Sequence, residues 1–304
     1  MVLVSGKVLL QKAKKGCYAV GAFNTNNLEI TTAIVAAAVE TNAPVFLQLS
    51  SGALKYGGFE LAGLAIAFAK KVHVPIAVHL DHGPSFEVAR ECIGFGFSSV
   101  MIDGSALPFD KNVSLTKKVV AAASAKKVSV EAELGQLKGR EDEVFSATHT
   151  YTDPSAAAKF VRLTKVGSLA VAIGTSHGAY KFKGAPKIDL QRLKEIGKLV
   201  DVPIVLHGAS SVPNSLVAEA NRYGAKLANA KGVPEVQIKK AIKLGVCKVN
   251  EDTDLRIAFA AAVRKFLKEN PSAYDPREIL SPATEAMKLV VMRRIKVLGS
   301  EGRA

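Results

Sequence analysis

Three histidines stand where short apolar runs of the sequence end. His82, His177 and His207 occur in the segments VPIAVHLDHG, LAVAIGTSHG and VPIVLHGASS. Three imidazoles that leave one coordination position open are a usual ligand set of a catalytic zinc ion. Asp81, directly before His82, adds a carboxylate that could act as general acid and base beside such an ion. These residues predict a catalytic divalent cation; the competing interpretation is three hydrogen-bonded histidines inside a protein core.

Carboxylates occur near the predicted metal site in two further segments. Glu131 and Glu133 alternate in VSVEAEL, a spacing that directs both to one face of a strand. A buried carboxylate needs a cation or strong donors, so we expect either a second metal position that includes Asp103 or hydrogen bonds that orient the histidines. Glu141 follows in the charged segment KGREDE, where solvated surface charge is the simpler interpretation.

The segment Gly174–Gly178, GTSHG, also matches the G-x-S-x-G turn of serine hydrolases, with Ser176 as the nucleophile. The serine of that turn opens a helix, but the following AYKFKGAPK contains Gly, Pro and Lys residues that do not start one. The sequence favours instead a histidine ligand flanked by glycines, which let the backbone approach a ligand and donate to a phosphate.

Strand-like and helix-like segments alternate along the chain, and this alternation predicts the elements that position these residues. Roughly eight apolar, β-branched runs are separated by segments of helical period such as LEITTAIVAAAVE and SFEVARECIGFG. The pattern predicts an α/β protein, a single (β/α)8 TIM barrel over residues 1–304, with an additional C-terminal helix over Pro276–Leu298. A doubly wound sheet is less favoured, because the sequence has no GxGxxG turn.

Nearly every predicted strand ends in polar residues. Strands of a parallel barrel are apolar except at their carboxyl ends, where the active site lies. On the third strand His79 and Asp81 share a face, and His82 leaves the strand at its end. The polar strand ends are Asn24, Ser50, Asp81–His82, Asp103, Glu131 with Glu133, Thr175–His177, His207 and Asn250–Asp252. They predict one ring of functional groups.

Composition limits the function classes. The 304 residues carry a net charge of +14, but the lysines are scattered in pairs over predicted helices, so no specific nucleic acid is expected as a partner. No apolar run approaches the roughly 20 residues needed to cross a bilayer, and no signal peptide is recognised, which predicts a cytoplasmic protein. Cys17, Cys92 and Cys247 are widely spaced, and we expect reduced thiols packed in the interior.

Together, these motifs resemble those of class II, metal-dependent fructose-1,6-bisphosphate aldolases, especially the shorter branch that also contains tagatose-bisphosphate aldolases. The resemblance spans nearly the whole chain. It is carried by GAFNTNN, LQLSSGALKYGG, VHLDHG, SVMIDGS, VEAELGQLKG, AIGTSHGAYKF, LHGASSVP, VNEDTDLR and LGSEGRA.

The resemblance implies a role for each matching residue. His82, His177 and His207 would hold a catalytic Zn²⁺, and Asp81 would exchange the proton of the substrate C4 hydroxyl. Glu141 would take part in a further proton transfer. Asp103 and Glu133 would match a second divalent metal position, and a monovalent cation is a further cofactor to consider. The implied substrate-binding residues are Ser50, Gly178, Lys181, Gly208, Ala209, Ser210, Asn250, Glu251, Asp252, Thr253 and Arg277.

The implied reaction is the reversible aldol cleavage of fructose 1,6-bisphosphate to dihydroxyacetone phosphate and glyceraldehyde 3-phosphate. Tagatose 1,6-bisphosphate stays an alternative substrate, because strand-end motifs do not distinguish epimers at C4. A Schiff-base aldolase would need an interior lysine, and Lys248, the only lysine inside a predicted strand, has no matching motif around it. The C-terminal helix predicts a homodimer or homotetramer.

Overall fold

The computed structural model describes residues 3–136, 138–141, 144–146, 150–177 and 188–304, with the backbone alone for 138–141, 144–146 and 177. Within these ranges, eight parallel strands close into a barrel. The barrel strands are β1 (Val20–Asn24), β2 (Val45–Ser50), β3 (Ile76–Gly83), β4 (Ser99–Ile102), β5 (Ser129–Leu134), β8 (Ser168–Val171), β10 (Ile204–Leu206) and β11 (Val246–Glu251). Their order around the barrel is β1-β11-β10-β8-β5-β4-β3-β2. The predicted TIM barrel is confirmed.

Helices of the barrel wall connect successive strands, and further helices lie at the two ends of the chain. Several begin at a side chain that accepts the N–H three residues on, as Asn27, Ser85 and Asp153 do. The helices are α1 (Gly6–Gly16), α2 (Leu28–Glu40), α3 (Ser51–Lys71), α4 (Phe86–Phe95), α5 (Phe109–Ser124), α6 (Pro154–Thr164), α7 (Leu190–Leu199), α8 (Asn214–Arg222), α9 (Glu235–Lys243), α10 (Thr253–Glu269) and α11 (Pro276–Leu298).

Helix α1 covers the amino-terminal end of the barrel. Its buried Leu9 and Leu10 pack in one apolar cluster with Phe46 and other barrel side chains. At the start of the helix, a Cβ on Gly6 would lie 2.7 Å from the Phe46 ring, so the main chain enters the barrel where a larger residue would not fit. Apolar side chains of α1 therefore pack at the amino-terminal end, beside the hydroxyl groups of Ser99 and Ser129.

A small three-stranded sheet that the sequence did not predict lies beside the barrel. It comprises β6 (Lys138–Glu141), β7 (Val144–Ser146) and β9 (Ser176–His177), in the order β7-β6-β9. The register of β6 against β9 pairs Gly139 with His177. The main chain of His177, a predicted metal ligand, thus lies next to the strand that contains Glu141.

Helix α11 has the bounds expected from the sequence and packs against α2 and α10. Among the described residues, no helix combines the length and the apolar composition needed to cross a bilayer. One expectation about the cysteines is wrong: Cys92 and Cys247 are buried, but Cys17 is exposed at the left-handed end of α1. The apolar pattern of a helix does not extend to the residue that terminates it.

Candidate metal centre and active site

An irregularity in β3 brings two consecutive side chains, Asp81 and His82, into one cluster. Neighbouring residues of a regular strand point to opposite faces. At His82 the backbone is left-handed, with φ 46°, and the register of β3 against β4 shifts between Leu80 and Gly83. Such a bulge re-aims a side chain, and the left-handed conformation costs about 1–2 kcal/mol outside glycine. The strain is located where the metal ligand is predicted.

Two of the three predicted histidine ligands face each other inside the barrel. His82 Nε2 lies 2.8 Å from His207 Nδ1, and the ring planes are nearly perpendicular, at 85°. The outer nitrogens are each held by a carboxylate: His82 Nδ1 lies 2.7 Å from Asp103 Oδ2, and His207 Nε2 lies 2.7 Å from Glu131 Oε1. The carboxylates fix the orientation of both rings, as they do around metal ions in proteins.

This arrangement suits a cation held by the two histidines. The carboxylates accept hydrogen bonds from the outer nitrogens, so these nitrogens carry the protons when the imidazoles are neutral. Both inner nitrogens then present lone pairs to each other at 2.8 Å, and a proton or a cation held by His82 and His207 would relieve this repulsion. Two imidazole nitrogens next to a carboxylate are donors that zinc and similar divalent ions bind.

The electrostatic environment of the pair favours one positive charge. Burial lowers the pKa of His207, and the charge of His82 lowers it further. Burial also opposes protonation of His82, but the hydrogen bond to Asp103 and the charges of Asp81, Asp103 and Glu133 outweigh it and raise the pKa of His82 well above its usual value. The carboxylates that raise the pKa of His82 would also favour a cation held by this pair.

The carboxylates form two overlapping groups around His82. Asp81, His82 and His207 bring their ligand atoms within 4.8 Å of one another, and so do His82, Asp103 and Glu133. Glu133 Oε2 lies 3.9 Å from His82 Nδ1, the nitrogen that bonds to Asp103. The second group can therefore use His82 as a ligand only if Nδ1 gives up its proton. The predicted second-metal residues Asp103 and Glu133 do lie together.

Side-chain amides surround Asp81, which is fully buried. Asn24 Nδ2 donates to Asp81 Oδ2 at 2.8 Å, and Asn250 Nδ2 donates to Oδ1 at 3.0 Å. Gln48 Nε2 in turn donates to Asn24 Oδ1 at 2.7 Å. Sequence reasoning missed Gln48, although a polar residue inside the apolar run VFLQLS was a usable signal. These amides hold the Asp81 carboxylate in place beside the histidine pair.

The loops after β10 and β11 lie side by side, as expected for residues that would bind one phosphate. Asp254 accepts hydrogen bonds from Ser211 N at 3.2 Å and Val212 N at 2.9 Å. Ser210 Oγ accepts from Asp252 N at 3.3 Å. A hydrogen bond therefore joins Ser210, at the end of the predicted group Gly208–Ser210, to Asp252 of the segment Asn250–Thr253.

Gly208 allows a close approach of backbone that other residues would prevent. Its φ is +58°, and a Cβ at this position would lie 2.5 Å from the carbonyl oxygen of Ser176. We expect Gly208→Ala to lower the free energy of unfolding by about 2 kcal/mol or more, through left-handed strain and overlap with backbone. Urea denaturation measures this difference.

Gly94→Ala is the matched control for Gly208→Ala. Gly94 lies inside α4, and a Cβ there would meet nothing within 4 Å. We expect this variant to gain about 0.5–1 kcal/mol, since alanine is favoured over glycine within a helix. Equal unfolding free energies for the two variants would contradict the close approach at Gly208.

Two other residues predicted to bind substrate, Ser50 and Asp252, lie at the starts of helices. Ser50 Oγ accepts from Ala53 N at 3.1 Å and so caps α3. Asp252 precedes α10, which begins at Thr253, and its Oδ1 accepts from Arg256 Nε at 2.8 Å. These contacts at helix starts are compatible with a nearby ligand but also have a purely structural explanation.

Glu251 and Arg277 do not lie with the others. Glu251 is fully buried and accepts from Arg294 Nε of α11 at 2.9 Å, so its side chain faces the outer helix; its grouping with substrate-binding residues needs correction. The alternation of β11 explains this, since Asn250 points inward. The Arg277 side chain is 89% exposed and paired with Asp275.

Four predicted residues cannot be located in the same way. Gly178 and Lys181 lie outside the described residues, and the side chains of Glu141 and His177 do as well. Of the site residues predicted from the sequence, the structure brings together His82, His207, Asp81, Asp103, Glu133 and Asn250.

A closed β/α barrel with paired buried imidazoles and carboxylates at the carboxyl ends of its strands defines a barrel protein with a candidate cation-dependent active site. The family model for class-II fructose-bisphosphate aldolase matches residues 4–303. The chain belongs to the class II fructose-bisphosphate aldolase family, as the motifs predicted.

Individual relatives agree with this assignment. The fructose-bisphosphate aldolase of Thermus caldophilus is 52% identical over 305 residues, which cover 100% of both chains. That of Helicobacter pylori (strain ATCC 700392 / 26695) is 46% identical over 306 residues, covering 99% of this chain and 100% of the relative. The crystal structure of the YdjI aldolase from Escherichia coli K12 superposes with a TM-score of 0.82 at 32% identity and covers 99% of each chain.

Proposed function

We propose that the protein catalyses the reversible, metal-dependent aldol cleavage of fructose 1,6-bisphosphate to dihydroxyacetone phosphate and glyceraldehyde 3-phosphate. The observation that carries the proposal is the buried pair of His82 and His207, with inner nitrogens 2.8 Å apart and Asp81 in the same cluster. Membership of the class II aldolase family supports the reaction type over a serine hydrolase that uses Ser176. Tagatose 1,6-bisphosphate stays the alternative substrate.

The residues proposed to hold the catalytic ion are His82, His177 and His207. Nitrogen donors of this kind suit Zn²⁺. A bound divalent ion stabilises the negative charge that develops on the ketose oxygens when the C3–C4 bond breaks. Asp103 and Glu133 are proposed for a second divalent ion, and a monovalent cation is a further proposed cofactor.

Asp81 is the proposed general acid and base. In cleavage one carboxylate oxygen takes the proton of the C4 hydroxyl, and in condensation it returns that proton. The amides of Asn24 and Asn250 orient the carboxylate, which lies buried beside the histidine pair. Glu141 is proposed for the proton transfer at the other carbon of the broken bond.

The proposed phosphate-binding residues lie on the two neighbouring loops and beyond them. Backbone N–H groups at Gly208–Ser210 and Asn250–Thr253 would receive the phosphate of the dihydroxyacetone half, assisted by Gly178 and Lys181. Ser50 is proposed to contact the aldehyde half. Arg277 is exposed on α11, so its proposed phosphate contact fits a homodimer or homotetramer in which it reaches a neighbouring site. A cytoplasmic location stays a prediction.

A coupled assay for triose phosphates tests the function directly. We expect the purified protein with added Zn²⁺ to cleave fructose 1,6-bisphosphate with higher kcat/KM than tagatose 1,6-bisphosphate. The reverse order would support the alternative substrate, and cleavage of neither would contradict the aldolase proposal. Borohydride added during turnover is expected to leave activity intact, since no lysine forms a Schiff base in this mechanism.

A further inference from the structure

Lys248 lies fully buried in the barrel, at the middle of β11, among groups that accept hydrogen bonds. Its Nζ is 3.0 Å from Glu131 Oε2 and 3.2 Å from Glu131 Oε1. His79 Nε2 lies 3.4 Å away, while His79 Nδ1 is 2.8 Å from Ser99 Oγ. The amine is thus paired with Glu131 and enclosed by side chains of the barrel.

Glu131 connects this lysine to the candidate metal centre. The same oxygen that contacts Lys248, Oε1, accepts a hydrogen bond from His207 Nε2 at 2.7 Å. With Nε2 engaged, Nδ1 is the nitrogen that His207 presents toward His82, 2.8 Å away. A continuous line of contacts therefore runs from Lys248 through Glu131 to the inner nitrogen of His207.

Stability alone does not explain this buried ion pair. Lys248 is 0% exposed and Glu131 2% exposed, so both groups lose their hydration on folding. Replacing such a pair with apolar residues of similar volume is often neutral or stabilising by about 1–4 kcal/mol. Burial and the charge of Lys248 also keep the pKa of His79 well below its usual value, so His79 stays neutral and does not replace the lysine as the cation beside Glu131.

We propose that Lys248 is a positioning residue of the metal centre, whose ammonium group pairs with the Glu131 carboxylate so that Glu131 orients His207 with Nδ1 toward the ion. The inference rests on the proposed function, because it assumes that His207 binds a metal. Without the lysine, the Glu131 carboxylate can turn away from His207 Nε2, and the ring loses its fixed orientation. Outer partners of this kind change metal affinity by about 10–100-fold when they are replaced.

The test is the Zn²⁺ dissociation constant of the full-length protein, measured by competition with a chromogenic chelator. We expect Lys248→Met, which keeps the side-chain length, to weaken Zn²⁺ binding by about 10-fold or more. The melting temperature of the metal-free protein is measured in parallel. Cys247→Ala, at the buried neighbour on the same strand, is the control and should leave Zn²⁺ affinity unchanged. Equal affinity of Lys248→Met and the unaltered protein would overturn the proposal.

A second comparison separates a positioning role from a general structural one. Glu131→Gln and the double variant Glu131→Gln/Lys248→Met should bind Zn²⁺ equally, since Lys248 acts only through Glu131. A further loss in the double variant would overturn the proposal. This comparison also applies if Lys248→Met alone does not fold, because the double variant leaves neither a buried carboxylate nor a buried ammonium group unpaired. Failure of the unaltered protein to bind Zn²⁺ at all would instead contradict the proposed function.

Discussion

Replacing His207 with alanine is expected to lower kcat for fructose 1,6-bisphosphate cleavage by about 10³-fold or more. A metal ion held by His207 would contribute several kcal/mol of charge stabilisation, and each 1.36 kcal/mol corresponds to a tenfold change in rate. His207 is fully buried, and its Nδ1 also lies 3.3 Å from Asn250 Nδ2, so alanine would remove a proposed ligand from the interior of the site. Steady-state kinetics with saturating Zn²⁺ measure the loss.

The control for His207→Ala is His73→Ala, because His73 is exposed and follows α3 on the surface. This variant should retain full activity. Circular dichroism and thermal unfolding show whether the His207 variant keeps its fold. A folded His207→Ala protein with kcat close to that of the unaltered enzyme would contradict its role as a ligand.

Replacing Asp81 with asparagine is expected to lower kcat by about 10²–10⁴-fold, the range of general acid–base catalysis. The amide is nearly isosteric with the carboxylate but does not accept the proton of the C4 hydroxyl. Zn²⁺ affinity should change little, since the proposed ligands are the three histidines. Measuring kcat and the Zn²⁺ dissociation constant on the same preparation distinguishes a role of Asp81 in proton transfer from a role as a metal ligand.

Asp81 lies close enough to His82 and His207 to be a metal ligand itself, so the Zn²⁺ dissociation constant must be measured together with kcat. A large loss of Zn²⁺ affinity in Asp81→Asn would assign the carboxylate to the metal rather than to proton transfer. Asp110→Asn, at an exposed position in the first turn of α5, is the control for removing one negative charge. It should alter neither quantity.

The barrel was predictable because its strands leave a clear pattern in the sequence. Strands buried on both sides read as apolar runs, and polar residues are tolerated at the carboxyl ends where they line a site. This is why Asp81, Asp103, His207 and Asn250 could be assigned to one ring before their contacts were known. The extra helix α11 was equally clear from its length and its apolar period.

The detailed orientation of the site depends on features that the sequence does not encode locally. Regular alternation would place Asp81 and His82 on opposite faces; the left-handed backbone at His82 and the register shift of β3 remove that alternation. Whether a strand forms a bulge depends on its neighbours in the sheet. The left-handed backbone conformation of His82 could not be predicted from its residue type.

The partners of buried charged residues could not be predicted from the sequence either. Lys248 and Glu131 are separated by 117 positions in the chain, and only the closed barrel places them 3.0 Å apart. A charged residue in the apolar run VCKVN did signal a buried partner, as Gln48 did in VFLQLS. Glu251 was grouped with the substrate residues by its position in a motif, whereas strand alternation turns it toward Arg294.

Removal of the metal tests most directly whether a cation at the histidine pair sustains turnover. Exhaustive dialysis against a chelator should reduce fructose 1,6-bisphosphate cleavage to background without unfolding the protein. Adding back Zn²⁺ should restore activity in proportion to occupancy of about one ion per chain at the catalytic site. Undiminished cleavage by protein shown to be free of metal would contradict the mechanism.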